Sequence, residues 1–138
     1  MAKDMFHGAV RSALESDGWE ITHDPYTIKT LGTSANIDLG AEKLIAAQRD
    51  RDYIAVEIKS FANPSFTYDF HLALGQYMNY LRGLRQVDPG RRLYLAVPNF
   101  AYESFFIKSD VWEAVQEFGL KLIVFDDQQQ TIIHWFEN

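Results

Sequence analysis

The stretch YIAVEIKSF, residues 53–61, limits the possible folds more than any other segment of the chain. Read as a strand, its side chains alternate between two faces. Ile54, Val56 and Ile58 then share one face, while Ala55, Glu57 and Lys59 share the other. The first face has to be covered by another layer of structure. The second carries an acid and a base two residues apart in a composition otherwise suited to burial, so Glu57 and Lys59 need a reason to be there.

The surrounding sequence supplies elements for both sides. Residues 4–17 read as a helix, with Met5, Phe6, Ala9, Val10, Ala13 and Leu14 as an apolar stripe, Asp4 as a cap and Gly18 as a stop. WEITHDPYTI follows as a first strand bent at Pro25, and LGTSAN reads as loop. IDLGAEKLIAAQ, ambiguous between helix and strand, is read as a strand turned by RDRD into strand 53–61. Residues 67–86 form the next helix, whose Phe70, Ala73, Leu74, Tyr77, Leu81 and Leu84 lie within an arc of roughly 100°. LYLAVP is a short apolar strand, as expected in a sheet covered on both faces. Asp110 with Glu113 resembles a capping box opening a third helix that Gly119 closes. LKLIVFD and TIIHWFE are two further strands, the latter at an edge. The order α-β-β-β-α-β-α-β-β implies an α/β fold, a mixed sheet flanked by helices.

The 138 residues, 47% of them hydrophobic, suit one domain spanning 1–138, with no repeat or linker to divide it. Without cysteine there is neither disulfide nor thiolate metal site, and a reducing cytoplasm is the expected home. The N-terminus lacks the apolar core of a signal peptide, and no apolar run approaches the roughly 20 residues of a membrane span. A formal charge of −6 argues against non-specific coating of nucleic acid, though not against a local basic patch.

Asp38, in NIDLG, precedes Glu57 by 19 residues. If Glu57 pairs with an even-numbered residue across the hairpin, Asp38, Gly40 and Glu42 share its face. Carboxylates gathered there repel, and a hard divalent cation with oxygen ligands, Mg²⁺ or Mn²⁺, relieves that repulsion. Lys59 beside such an ion could orient or deprotonate a water, or stabilise a phosphate under attack. Gln76 and Tyr80, at i and i+4 on the following helix, border its apolar arc and can lean over the sheet, with Asp69 in the same stripe. A simple hairpin centred on residues 49–52 places Leu44 opposite Glu57 and Glu42 opposite Lys59. Asp38 then lies about 13 Å further along, at roughly 3.3 Å per residue. A bulge at Gly40 shortens that gap; otherwise Glu42 replaces Asp38 as a ligand.

Asp38 followed by Glu57-Ile58-Lys59 resembles the D…(D/E)-x-K core of the PD-(D/E)XK nuclease superfamily, and Gln76-x-x-x-Tyr80 resembles the Q-x-x-x-Y motif of its RecB-like members. Ile37 stands where the motif proline is expected. Nearly the whole chain, through FHGAVRSAL, GWEITHDPY, IDLGAEKLIAAQ, VEIKSF, ALGQY, LYLAVP and KLIVFD, resembles the XisH family of excision controlling factors. The resemblance implies a restriction-endonuclease-like fold and a part in programmed excision of a DNA element in cyanobacteria. Implied partners are DNA, a site-specific recombinase and a companion controlling factor. The superfamily motif implies Asp38 and Glu57 as metal ligands, Lys59 as catalytic lysine, and Gln76 and Tyr80 as site residues.

Other residues have plainer readings. His7 is read as a packing histidine, Glu15 as solvated, and His23 with Asp24 as part of a turn; His71 and His134 have no metal spacing. Arg82, Arg85, Arg91 and Arg92 form the densest basic cluster, a solvated surface or a phosphate contact. The aromatic FAYESFFIKSDVW hints at an interface between copies. The leading expectation is a Mg²⁺-dependent DNA endonuclease. The alternatives are a catalytically silent accessory factor that docks DNA or the companion protein and, more distantly, a defence or toxin nuclease.

Overall fold

A computed structural model describes residues 5–45 and 50–137. Among these, six strands form one mixed sheet, and two more form a separate hairpin. The elements are α1 (His7–Ser16), β1 (Glu20–His23), β2 (Tyr26–Thr30), β3 (Thr33–Ile37), β4 (Leu39–Ile45), β5 (Asp50–Ile58), α2 (Phe66–Val87), β6 (Arg91–Pro98), α3 (Asn99–Ala101), α4 (Ser109–Glu117), β7 (Lys121–Asp126) and β8 (Thr131–Glu137). A π-helical turn, Tyr102–Phe106, continues α3. The sheet order is β1-β4-β5-β6-β7-β8. β5, β6 and β7 run parallel, and the other pairings are antiparallel.

Strand β5 is central and its alternation separates two cores. Ile54, Val56 and Ile58 pack with Val10 and Leu14 of α1, together with Tyr94, Ile123 and Phe125. Ala55, on the other face, joins Phe70, Ala73, Tyr77 and Leu84 of α2. The apolar arc of α2 therefore covers the face that carries Glu57, and Ser65 caps this helix by accepting the Tyr68 N–H. β6 is buried along most of its length, as its apolar run requires between two helical layers.

Several sequence expectations change. The first expected strand divides at the cis Asp24–Pro25 bond into β1, which joins the main sheet, and β2, which does not. LGTSAN is not loop: Thr33–Ile37 pairs with β2, and only Leu31 and Gly32 turn the chain. The order thus has five strands before α2 instead of three, and α3 before α4. Arg51 and Asp52 belong to β5 rather than to a turn, and β5 ends at Ile58, although Lys59 still donates its N–H to Ala96. Asp4 and Arg49, the first residue of the expected RDRD turn, lie outside the described residues. No capping box opens α4: its N-cap is Lys108, and Asp110 accepts the N–H of its neighbour Val111. Phe105 and Phe106 of the aromatic segment face inward, where they meet Phe61 and Phe70. β8 is an edge strand as expected.

The β2–β3 hairpin lies against α2 through a close approach at Gly83. A Cβ there would sit 2.8 Å from Ile28 Cδ1 and 3.0 Å from Thr30 Cβ. Thr30 also donates to Asn79 Oδ1 at 3.0 Å. Gly83→Val is expected to lower stability in urea unfolding by about 1–3 kcal/mol through overpacking. Gly75 is exposed, with nothing near its missing Cβ. Gly75→Ala should raise stability by about 0.5–1 kcal/mol through helix propensity alone.

Candidate active site

The register of the β4–β5 hairpin decides which carboxylates meet. Leu39 pairs with Val56 and Glu42 with Tyr53, so Asp38, one position before β4, comes opposite Glu57. The expected separation of Asp38 from Glu57 is overturned, and no bulge at Gly40 is needed to bring them together. The physical reason is that β5 begins at Asp50, which shifts the pairing frame relative to a turn centred on 49–52. Glu42 moves the other way: it sits four residues beyond Asp38 on β4 and pairs with Arg51 at 3.0 Å. It does not join the pair.

Asp38 and Glu57 are linked by reciprocal bonds. The Ile58 N–H donates to Asp38 Oδ2 at 2.8 Å, and the Asp38 N–H donates to Glu57 Oε1 at 3.3 Å. Glu57 is buried. Burial first, then the negative charge of Asp38 and a hydrogen bond with it, push its carboxyl up to about 9, against the opposing pull of Lys59. Without a cation, Glu57 holds its proton at neutral pH. Lys59 is half-buried just beyond β5, on the same face by alternation.

Helix α2 lays Tyr80 over this pair. Burial, with the charges of Glu57 and Asp38, raises the phenol to about 12, so Tyr80 remains a hydrogen-bond donor at any physiological pH. One turn earlier, Gln76 Oε1 is buried without a hydrogen-bond partner. A buried orphan acceptor is costly and calls for a ligand or a water. The structure thus gathers Asp38, Glu57, Lys59 and Tyr80 on one face, with Gln76 in line with Tyr80. Among the described residues no three His, Asp or Glu side chains form a metal cage. Two carboxylates and a neutral amide oxygen still fit a hard cation that keeps several waters, as Mg²⁺ does.

Asp69 takes a role that its position in the stripe did not reveal. Its carboxylate accepts Asn63 Nδ2–H at 2.8 Å and the Asn63 N–H at 3.3 Å, tying down the loop that follows Lys59. His7 lies away from the pair, in the α1 layer, where Nε2 contacts Asp24 Oδ1 at 2.7 Å; Arg11 donates to Asp24 Oδ2 at 2.6 Å. The expected arginine cluster is divided. Arg91 is buried, bonded to Asp88 and to the carbonyl of Ile54, and Arg92 pairs with Asp52 and Glu137. Arg82 and Arg85 stay exposed on α2.

Comparison with known proteins follows the same lines. A sequence model of the XisH family matches residues 1–133. The chain belongs to the XisH family. Two crystal structures are similar to it. One is an XisH family protein from Nostoc punctiforme, 41% identical, covering 96% of this chain and 99% of that one, with a TM-score of 0.85. The other is an fdxN element excision controlling factor protein from Anabaena variabilis, 43% identical, covering 97% and 99%, also with a TM-score of 0.85. No curated protein matches the chain. The mixed sheet flanked by helices is thus a family property. No described helix is long and apolar enough to cross a membrane.

The raised Glu57 carboxyl has a consequence for stability. Its folded value, about 9, lies above the ordinary 4.5, so between these the folded state binds more protons than the unfolded one. Stability in metal-free buffer is therefore expected to fall as pH rises from about 5 to 9. Glu57→Gln should flatten that slope and stabilise the metal-free protein at pH 8 by about 2 kcal/mol. Thermal unfolding in EDTA across the pH range checks both; parallel curves for the two proteins would refute the assignment.

Proposed function

We propose that this XisH family protein is an excision controlling factor that cleaves DNA with the help of a divalent cation. Membership of the family, together with a similar structure described as an fdxN element excision controlling factor, supports the role in excision. The observation that carries the nuclease reading is the contact of half-buried Asp38 with buried Glu57 at the end of β5, and burial beside Asp38 pushes the Glu57 carboxyl upward. Two adjacent carboxyls in a buried setting resist joint ionisation unless a cation joins them. The PD-(D/E)XK resemblance supplies the same residues in the same roles.

Asp38 and Glu57 would hold Mg²⁺ or Mn²⁺, with Gln76 Oε1 accepting from a bound water. The cation, when bound, lowers the pKa of water and neutralises charge on the phosphate. Lys59 orients the attacking water and balances the negative charge that grows on the phosphoryl oxygens. The water oxygen bonds to phosphorus and gives up a proton to solvent, the bond from phosphorus to the departing sugar oxygen breaks, and that oxygen takes up a proton from solvent. Tyr80, held neutral, donates a hydrogen bond rather than acting as a base. A site-specific recombinase and a companion controlling factor are the partners this reading carries.

The second reading is an accessory factor without turnover. The net charge of −6 and the gathering of only two carboxylates favour it. A cleavage assay on duplex, branched and single-stranded DNA in Mg²⁺ or Mn²⁺ separates the two. Under the nuclease reading, Lys59→Ala keeps its fold and loses about 10²–10⁴-fold in rate. Asp38→Ala and Glu57→Ala should abolish metal-dependent cutting. A wild-type protein that nicks none of these substrates, while Lys59→Ala still supports excision in cells, decides for the accessory factor.

A further inference from the structure

The β2–β3 hairpin stands outside the main sheet and leads directly into Asp38. Its inward face is anchored by Ile28, Thr30 and Ile37, all buried. Its outward face carries Thr27, Lys29, Ser34 and Asn36, all exposed. From Pro25 to Ile37 there is no acidic residue and one lysine, in a chain whose net charge is −6. This acid-free surface is joined to the candidate site through Asp38, and its hydroxyl and amide groups suit phosphate and sugar oxygens.

The tip is unusual in a second way. Thr30 pairs with Thr33, so Leu31 and Gly32 are the two turn residues, at φ +51° and +73°. A two-residue hairpin with both φ values positive favours Asn-Gly or Asp-Gly, because left-handed backbone is unfavourable for a residue like leucine. Leu31 is nevertheless there, 69% exposed. It therefore gains neither the backbone preference nor burial, and such an outlier points to a role outside the fold.

We infer that the β2–β3 hairpin is a DNA-contacting ribbon whose Leu31 tip enters the minor groove of duplex DNA. The inference rests on the DNA-acting reading above. Two-stranded ribbons fit DNA grooves, and apolar side chains inserted from the minor groove part base steps and bend the duplex. Because β3 continues into Asp38, the ribbon and the Asp38–Glu57 pair lie on one continuous stretch of chain. A protein partner is the weaker fit, since the tip offers one apolar side chain among polar ones, without the aromatic or apolar cluster that anchors most protein interfaces.

Leu31→Asn tests this, because the substitution suits the turn and removes the wedge. In thermal unfolding it should raise Tm by about 2–5 °C. In anisotropy titrations of a fluorescein-labelled mixed-sequence duplex in EDTA, it should weaken binding about tenfold. Lys29→Ala should reduce the slope of log affinity against log salt by about 1. Equal duplex affinity of wild type and Leu31→Asn overturns the proposal, as does a wild type that binds no duplex. A wild-type dimer that Leu31→Asn converts to monomer overturns it in favour of a contact between copies. Wild-type cleavage in Mg²⁺ is read in parallel. Cleavage with Leu31-independent binding strikes the ribbon alone, whereas Leu31-dependent binding without cleavage strikes the nuclease reading alone.

Discussion

The reciprocal bonds between Asp38 and the end of β5 hold the candidate site together. One carboxylate accepts the Ile58 N–H while its own backbone donates to Glu57, so the start of β4 and the end of β5 are fixed to each other at that point. The arrangement satisfies backbone groups where the ladder ends, and it also brings two acids into contact in a poorly hydrated place. The first effect stabilises the fold. The second is unfavourable until a proton or a cation intervenes, which is why the same two residues serve structure and suggest chemistry.

Glu57 is buried, while Asp38 and Lys59 keep partial access to solvent. Helix α2 brings Tyr80 to the acid pair, with Gln76 one turn earlier on the same helix, and the loop after Lys59 is held by Asp69 through Asn63. On the other face, α1 packs on Ile54, Val56 and Ile58, so β5 is covered on both sides. A central strand bordered by parallel β6 and antiparallel β4 is rigid, which suits a site whose groups must stay within hydrogen-bond range. The hairpin is attached differently. Its inner face meets α2 through buried Ile28 and Ile37, the close approach at Gly83 and bonds from Thr30 to Asn79 and from Tyr26 to Asp88, leaving its outer face and tip to solvent.

Alternation alone put Glu57 and Lys59 on one face, and reading them as more than a solvated ion pair needed Asp38 upstream and Gln76 and Tyr80 on the following helix. The structure puts Glu57 and Lys59 on the α2 face. The partner of Glu57 was harder to read. Sequence suggested a turn from RDRD and so a frame in which Asp38 overshot by several residues. The observed frame depends on where β5 starts, and a polar strand end looks like a turn when only composition is considered. LGTSAN failed for a related reason. Thr33–Ile37 has too little hydrophobic pattern to read as a strand, and it becomes one because Ile37 and Ala35 find the α2 core.

Local sequence therefore determined the alternation of β5 and the amphipathic arc of α2. These follow from side-chain periodicity, which needs no knowledge of neighbours. Only the tertiary structure decided that Asp38 rather than Glu42 meets Glu57. It also decided that Arg91 is buried and Arg92 paired, and that β2 and β3 leave the sheet as a separate ribbon. Each of these depends on strand register or on contacts between residues distant in sequence. A one-residue change of register moves a side chain to the opposite face, and a single sequence does not encode that choice locally.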